Sequence, residues 1–143
     1  MVKIMFLCTG NTCRSQMAEG FAKALGQGLI EVHSAGVNPA GHIHPKAIAA
    51  MNEAGIDISS QESKGIDPEL LLTMDMVITL CGNAESTCPA TPPRIKKAHW
   101  PIEDPVSALG TEEEMMNEFR KARDEIKTHM ENLIKELRAG GGI

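Results

Sequence analysis

Apolar residues along this chain fall into short blocks whose lengths and spacings predict its elements. Val2 to Leu7 is a nearly continuous apolar run, the pattern of a strand buried in a parallel sheet. Met17, Phe21 and Leu25 recur at helical spacing, with Ala18 and Ala22 beside them, which predicts a helix over 17–25. Leu29 to Ser34 reads as a second strand closed by Gly36. Pro45 opens a second helix, whose apolar face Ala47, Ile48 and Met51 runs to Gly55. Asp67-Pro68 starts a shorter helix, with Pro68 at its first position. Met76 to Leu80 is a third buried strand, ending on Cys81. Gly82 to Arg94 is polar and Pro-containing, a long loop or marginal helix, and Lys96 to Trp100 a fourth strand. Beyond Thr111, Met115, Phe119, Ile126, Met130, Leu133 and Leu137 mark a long amphipathic helix, and Glu112, Glu113 and Glu114 suit the positive end of its dipole.

Strands alternating with helices indicate a three-layer α/β domain around a parallel sheet, one domain over residues 1–143. Ligands of such sheets bind at the carboxyl ends of the strands. Cys8 and Cys81 both follow strands at that edge, so they are expected to meet.

Composition narrows the class. The chain has 143 residues, 42% of them hydrophobic and 23% charged, as in an ordinary globular protein. Its net charge of −5 argues against nucleic acid as a partner. No apolar run approaches the ~20 residues that span a bilayer. Met1-Val2-Lys3-Ile4 lacks a signal-peptide pattern, so a cytoplasmic protein is expected. Disulfides are seldom structural there, and the four cysteines read better as catalytic or metal-binding than as staples.

The strongest chemistry lies in Cys8-Thr9-Gly10-Asn11-Thr12-Cys13-Arg14-Ser15, between the first strand and the first helix. Loop N–H groups and a helix N-terminus converge on an anion, and the same field turns Cys8 into a nucleophilic thiolate. Arg14 offers a planar fork for two oxygens of a tetrahedral oxyanion such as phosphate or arsenate. Gly10 is expected to turn with positive φ and Asn11 to hold the loop through its side chain. Ser15 can donate to the Cys8 sulfur, and Cys13 reads as a packing residue. Thr9, Gly10, Asn11, Thr12, Cys13, Arg14 and Ser15 together form the expected substrate cradle.

Two further motifs accompany the loop. Cys81 and Cys88 enclose six polar or small residues. Zinc ligands and two unrelated buried thiols are the ordinary readings, although a gap of six is wide for a zinc knuckle. A dithiol that attacks an adduct on Cys8 is the sharper reading. Glu103-Asp104-Pro105 follows the fourth strand. By itself it is a loop turn or helix cap, but beside an oxyanion site Asp104 becomes the candidate general acid. The five histidines form no cluster, and His42 and His44 read as a solvated turn.

Cys8 to Gly20, Val77 to Cys81, and His99-Trp100 ahead of Asp104-Pro105 resemble the low-molecular-weight protein tyrosine phosphatase fold family, over nearly the whole chain. Cys8, Cys81 and Cys88 together make the chain similar to that family's thioredoxin-coupled arsenate reductases. The resemblance implies a four-stranded parallel sheet flanked by helices; a monomer without a tightly bound cofactor is expected. It also implies a relay. The Cys8 thiolate attacks arsenate held by Arg14 and the loop amides, while Asp104 protonates the departing hydroxyl. Cys81 attacks the Cys8 sulfur and arsenite leaves. Cys88 then takes the disulfide to the Cys81–Cys88 pair, which thioredoxin reduces. Some relatives hold a potassium ion beside the loop. Its ligand positions match Asn11, Glu19 and Ser34, but the fourth falls on Lys64, whose ammonium would take the cation's place and pair with Glu19. The competing functions are a phosphatase for phosphotyrosine or small phosphoesters and a soft-metal sensor. The chain has no tyrosine, and Val106 follows Asp104-Pro105 where such phosphatases often present an aromatic.

Overall fold

A computed structural model of the chain describes residues 1–80, 91–107 and 109–140. Four strands, β1 (Val2–Cys8), β2 (Ile30–Gly36), β3 (Met76–Thr79) and β4 (Lys96–His99), form one parallel sheet in the order β2-β1-β3-β4. Among the described residues the helices are α1 (Arg14–Leu25), α2 (Pro45–Glu53), α3 (Pro68–Leu72) and α4 (Glu112–Arg138), with a 3-10 turn at Pro105–Ser107.

β1 is apolar throughout because both its faces are covered. Ile4 and Phe6 join Met76 and Ile78 in a large core with Met17 and Phe21 of α1, Met51 of α2, and Phe119, Ile126 and Met130 of α4. Met5 and Leu7 face the other way, into a smaller cluster with Ala35, Val77, Ile95 and Leu71 of α3. Complete burial of a side chain such as Phe6 or Phe21 stabilises the fold by about 1.5–3 kcal/mol. The expected face of α4 is borne out at Phe119, Ile126, Met130 and Leu133, with Met115 and Leu137 only half-buried at its margins.

Local rules set the helix starts. Asp67 accepts from the N–H groups of Glu69 and Leu70 at the head of α3, with Pro68 in the first turn. At α4 a capping box joins Thr111 and Glu114. α1 begins at Arg14, three residues before its apolar periodicity, because the anion loop runs straight into it. The 3-10 turn was not legible as a separate element. Asp104 Oδ1 accepts from Val106 N at its start, 3.0 Å away. No helix of the described residues is long and apolar enough to cross a membrane.

β1 is followed in the chain by β2 on one side of it and β3 by β4 on the other, so the chain leaves these two neighbouring strands in opposite directions. That is the switch point at which α/β sheets open a crevice. Cys8 is the last residue of β1.

Candidate active site

Residues 8–13 are fastened from outside, carbonyl by carbonyl. Cys8 O accepts from Val37 N at 3.3 Å, Thr9 O from Asn38 N at 2.9 Å and Gly10 O from Ala40 N at 2.9 Å. Thr12 O accepts from His44 N at 2.8 Å and Cys13 O from Met17 N at 2.9 Å. Asn11 O accepts from the Gln16 side chain at 3.0 Å. A planar trans peptide sets each C=O opposite the next N–H. Carbonyls tied outward therefore turn the N–H groups of residues 9–14 toward the concave side, which suits them to a tetrahedral anion. α1 adds its dipole: Cys13 at its N-cap makes no side-chain cap bond and its first turn holds no acidic residue.

The left-handed residue of the loop is Asn11, with φ 46°, and not Gly10. Asn tolerates that region when its side chain is bonded locally. Here Asn11 Nδ2 donates to Ser15 Oγ at 2.8 Å and Ser34 Oγ at 3.1 Å, and Asn11 Oδ1 accepts from Lys64 N at 2.8 Å. A glycine is required instead at the end of β2. A Cβ on Gly36 would stand 2.7 Å from Thr9 O and 2.8 Å from Asn11 N.

Beneath the loop Glu19 is 5% exposed. Ser34 Oγ donates to its Oε1 in a short bond. Lys23 Nζ lies 2.7 Å from Oε2 and Lys64 Nζ 3.7 Å from Oε1. These groups do not fit a potassium ion. Both carboxylate oxygens of Glu19 already face ammonium groups, and Asn11 turns its NH₂ toward Ser34, its oxygen being occupied by Lys64 N. Lys64 brings positive charge where an acidic ligand would bring negative. Among the described residues no three His, Cys, Asp or Glu side chains cluster as a metal site.

Cys8, Thr9, Gly10, Thr12, Cys13 and Arg14 line one wall of a cavity of about 590 Å³; Pro101, Ile102, Glu103, Asp104 and Val106 line the other. Arg14 crosses between them. Its Nη1 donates to Ile102 O at 2.9 Å, and its Nη2 lies 3.6 Å from Asp104 Oδ2. Asp104 is 44% exposed at the side chain, Arg14 only 8%. Cys8, Arg14 and Asp104 thus share one cavity, and a thiol, a guanidinium and a carboxyl so grouped could attack an oxyanion, hold it and protonate what leaves. Cys13 packs in the large core, as expected.

His42 is exposed in a bend, as expected, but His44 is not part of a solvated turn. Thr12 Oγ1 donates to His42 O at 2.7 Å. His44 Nδ1 accepts from Lys46 N at 3.1 Å and caps α2, while its ring lies 4.8 Å from that of Phe119. Burial lowers the pKa of His44, Lys46 and His42 add to the shift, and Asp104 opposes it. The position immediately before Pro45 was the readable signal of a cap. Ile102 and the segment around Ser63 also belong to the loop's support and carry no motif; Gln16, which supports it too, lies inside the Cys8 to Gly20 motif but suggested no role by itself. Cys81 and Cys88 lie outside the described residues. Leu80, just before Cys81, donates from its N–H to Leu7 O at 3.0 Å, beside the end of β1.

A cysteine, a ring of loop amides and an arginine at one helix N-terminus define a thiol-based oxyanion enzyme. The chain belongs to the low molecular weight phosphotyrosine protein phosphatase family, whose model matches residues 3–141. An arsenate reductase of Bacillus licheniformis is 55% identical over 123 residues, 86% of this chain and 88% of that one. A solved arsenate reductase in the phosphate-binding state matches with TM-score 0.77 and 42% identity, over 96% of this chain and 99% of that one. A thioredoxin-dependent arsenate reductase of Corynebacterium glutamicum matches with TM-score 0.78 and 26% identity, over 98% of this chain and 63% of that one.

Proposed function

We propose that this chain reduces arsenate to arsenite, with thioredoxin as electron donor. The observation that carries the reading is the shared cavity of Cys8, Arg14 and Asp104 at the carboxyl edge of β1, in a chain that places Cys81 directly after β3 and Leu80. The Cys8 thiolate attacks arsenic(V). An As–S bond forms, an As–O bond breaks, and Asp104 delivers the proton that turns hydroxide into water. The Cys81 thiolate then attacks Cys8 Sγ. An S–S bond forms while the As–S pair returns to arsenic, which leaves as arsenite, As(III). Cys88 attacks Cys81 Sγ, frees Cys8 as thiolate and leaves the Cys81–Cys88 disulfide. A thioredoxin dithiol reduces that disulfide and is itself oxidised. Such a donor places the working enzyme in a reducing compartment, the cytosol.

The test is thiol counting. Without reductant the protein should lose two thiols for each arsenite formed, and thioredoxin with its reductase and NADPH should sustain turnover. Cys88→Ser should stop after one turnover with Cys8 bridged to Cys81 in peptide maps. A Cys8–Cys13 bridge would overturn the relay order. Hydrolysis of an aryl phosphate without arsenate-dependent thiol loss would favour the second reading, a phosphatase. That reading is favoured by the cavity, whose three reacting side chains suffice for phosphoester hydrolysis.

A further inference from the structure

Five of the six carbonyls from Cys8 to Cys13 are held by backbone N–H groups, but the carbonyl of Asn11 is held by a side chain. Gln16 is wholly buried. Its Nε2 lies 3.0 Å from Asn11 O, 3.0 Å from Asn11 Oδ1 and 2.8 Å from Glu62 O. The orientation of its amide is determined by its neighbours: three acceptors face the nitrogen, and a donor faces the oxygen. That donor is Gln61 Nε2, 2.8 Å from Gln16 Oε1 and 3.0 Å from Gln16 O. The residues around Gln61 are tied to the loop elsewhere too. Ser63 Oγ donates to Gly10 O at 3.2 Å, Lys64 N donates to Asn11 Oδ1, and Gly36 N donates to Lys64 O at 2.9 Å. Residues 61–64 thus form a strap behind the anion loop.

We infer that Gln16, held by Gln61, is a positioning residue: it locks the Asn11–Thr12 peptide with its carbonyl outward, so that the Thr12 N–H points at the bound oxyanion. Asn11 needs such a lock. It sits in the left-handed region, and a peptide next to such a residue can rotate when nothing holds its oxygen. Rotation by half a turn would exchange an N–H aimed at the anion for a carbonyl lone pair. The Cys8 thiolate depends on the same converging N–H groups, so the lock also serves the nucleophile. Gln16 is not among the residues that line the cavity and acts through this peptide. The inference rests on the oxyanion site proposed above and not on which oxyanion turns over.

The probe is inorganic phosphate, which reads the loop without arsenate chemistry. Gln16→Met keeps length and volume and removes the donor. It should weaken phosphate binding, measured by calorimetry, by about 10–100-fold, the loss of one or two hydrogen bonds to a charged group. It should also raise the pH midpoint of Cys8 carboxymethylation, followed by peptide mapping, by about one unit. Gln61→Met, on the half-exposed strap, should weaken phosphate binding about threefold, and Gln61→Lys, which can still donate to Gln16, should restore it. Leu133→Ala in α4 is the control for lost stability, with phosphate affinity unchanged. Phosphate affinity and Cys8 midpoint of Gln16→Met equal to the parent would overturn the inference. If Gln16→Met does not fold, Gln61→Met decides in the same way. A parent protein that binds phosphate but leaves arsenate unreduced would overturn the proposed reductase and leave this inference standing.

Discussion

The two walls of the cavity are built on opposite plans. The wall of residues 8–16 is buried and cross-tied. Asn11, Ser15 and Gln16 are completely inaccessible, and a bond holds every carbonyl from Cys8 to Cys13 outward. The wall of residues 101–106 hangs on Ile102, which donates to Leu80 O at 3.2 Å and accepts from Arg14, while Asp104 and Val106 remain substantially exposed. The first wall is organised before the anion arrives, which spares the cost of ordering it on binding. The second keeps the Asp104 carboxyl in contact with water. The anion loop is therefore coupled to folding, and the Asp104 side of the cavity is largely uncoupled from it.

That contrast can be broken in three places. Cys8→Ser should abolish arsenate reduction and any aryl-phosphate hydrolysis alike, because one thiolate starts both. Either activity surviving at an appreciable rate would put the nucleophile elsewhere. Asp104→Asn should slow the reaction by about 10²–10⁴-fold at saturating arsenate while phosphate affinity and melting temperature stay near the parent. A near-parent rate across the pH range would return Asp104 to a turn residue capping Val106. The smallest effect belongs to His44, at the border of the buried wall. Its folded pKa lies below the ordinary 6.5. Between the two values the unfolded chain binds more protons, so stability falls as pH drops through that window. His44→Asn keeps the cap acceptor and removes the titration. The parent should therefore lose more melting temperature than the variant between pH 7 and 5, and identical pH profiles would discard the cap as a titrating element.

The legible parts of the molecule are those written locally. Val2 to Leu7 could only be a strand covered on both faces, and Pro68 after Asp67 could only open a helix. Cys8, Arg14 and the helix after them lie within one short segment, so order along the chain already gave their place in space. Asp104 was harder, since its meaning depends on Arg14, ninety residues away, reaching the backbone of Ile102. The strap was not legible at all. Gln61, Ser63 and Lys64 look like ordinary loop polarity, and their bonds to Gln16, Gly10 and Asn11 arise only when the sheet brings residues 36 and 65 side by side. His44 failed for a related reason: an imidazole in a Gly/Pro-rich stretch suggests water, and Phe119 from the far end of the chain excludes it.

A cradle whose every peptide is tied down has a consequence for selectivity. Arsenate and phosphate share shape, charge and hydrogen-bonding pattern, and a receptor that does not yield cannot exploit their small difference in size. Phosphate must then compete for the same seat wherever it is abundant, and discrimination has to come after docking. Arsenic can accept an electron pair when a second thiol attacks the sulfur that holds it, and phosphorus cannot. The receptor asks only what shape has arrived. In the proposed relay the choice of element falls to the bond that breaks next, and the rate of that step relative to release of the competing anion would set how much arsenate is cleared where phosphate is abundant.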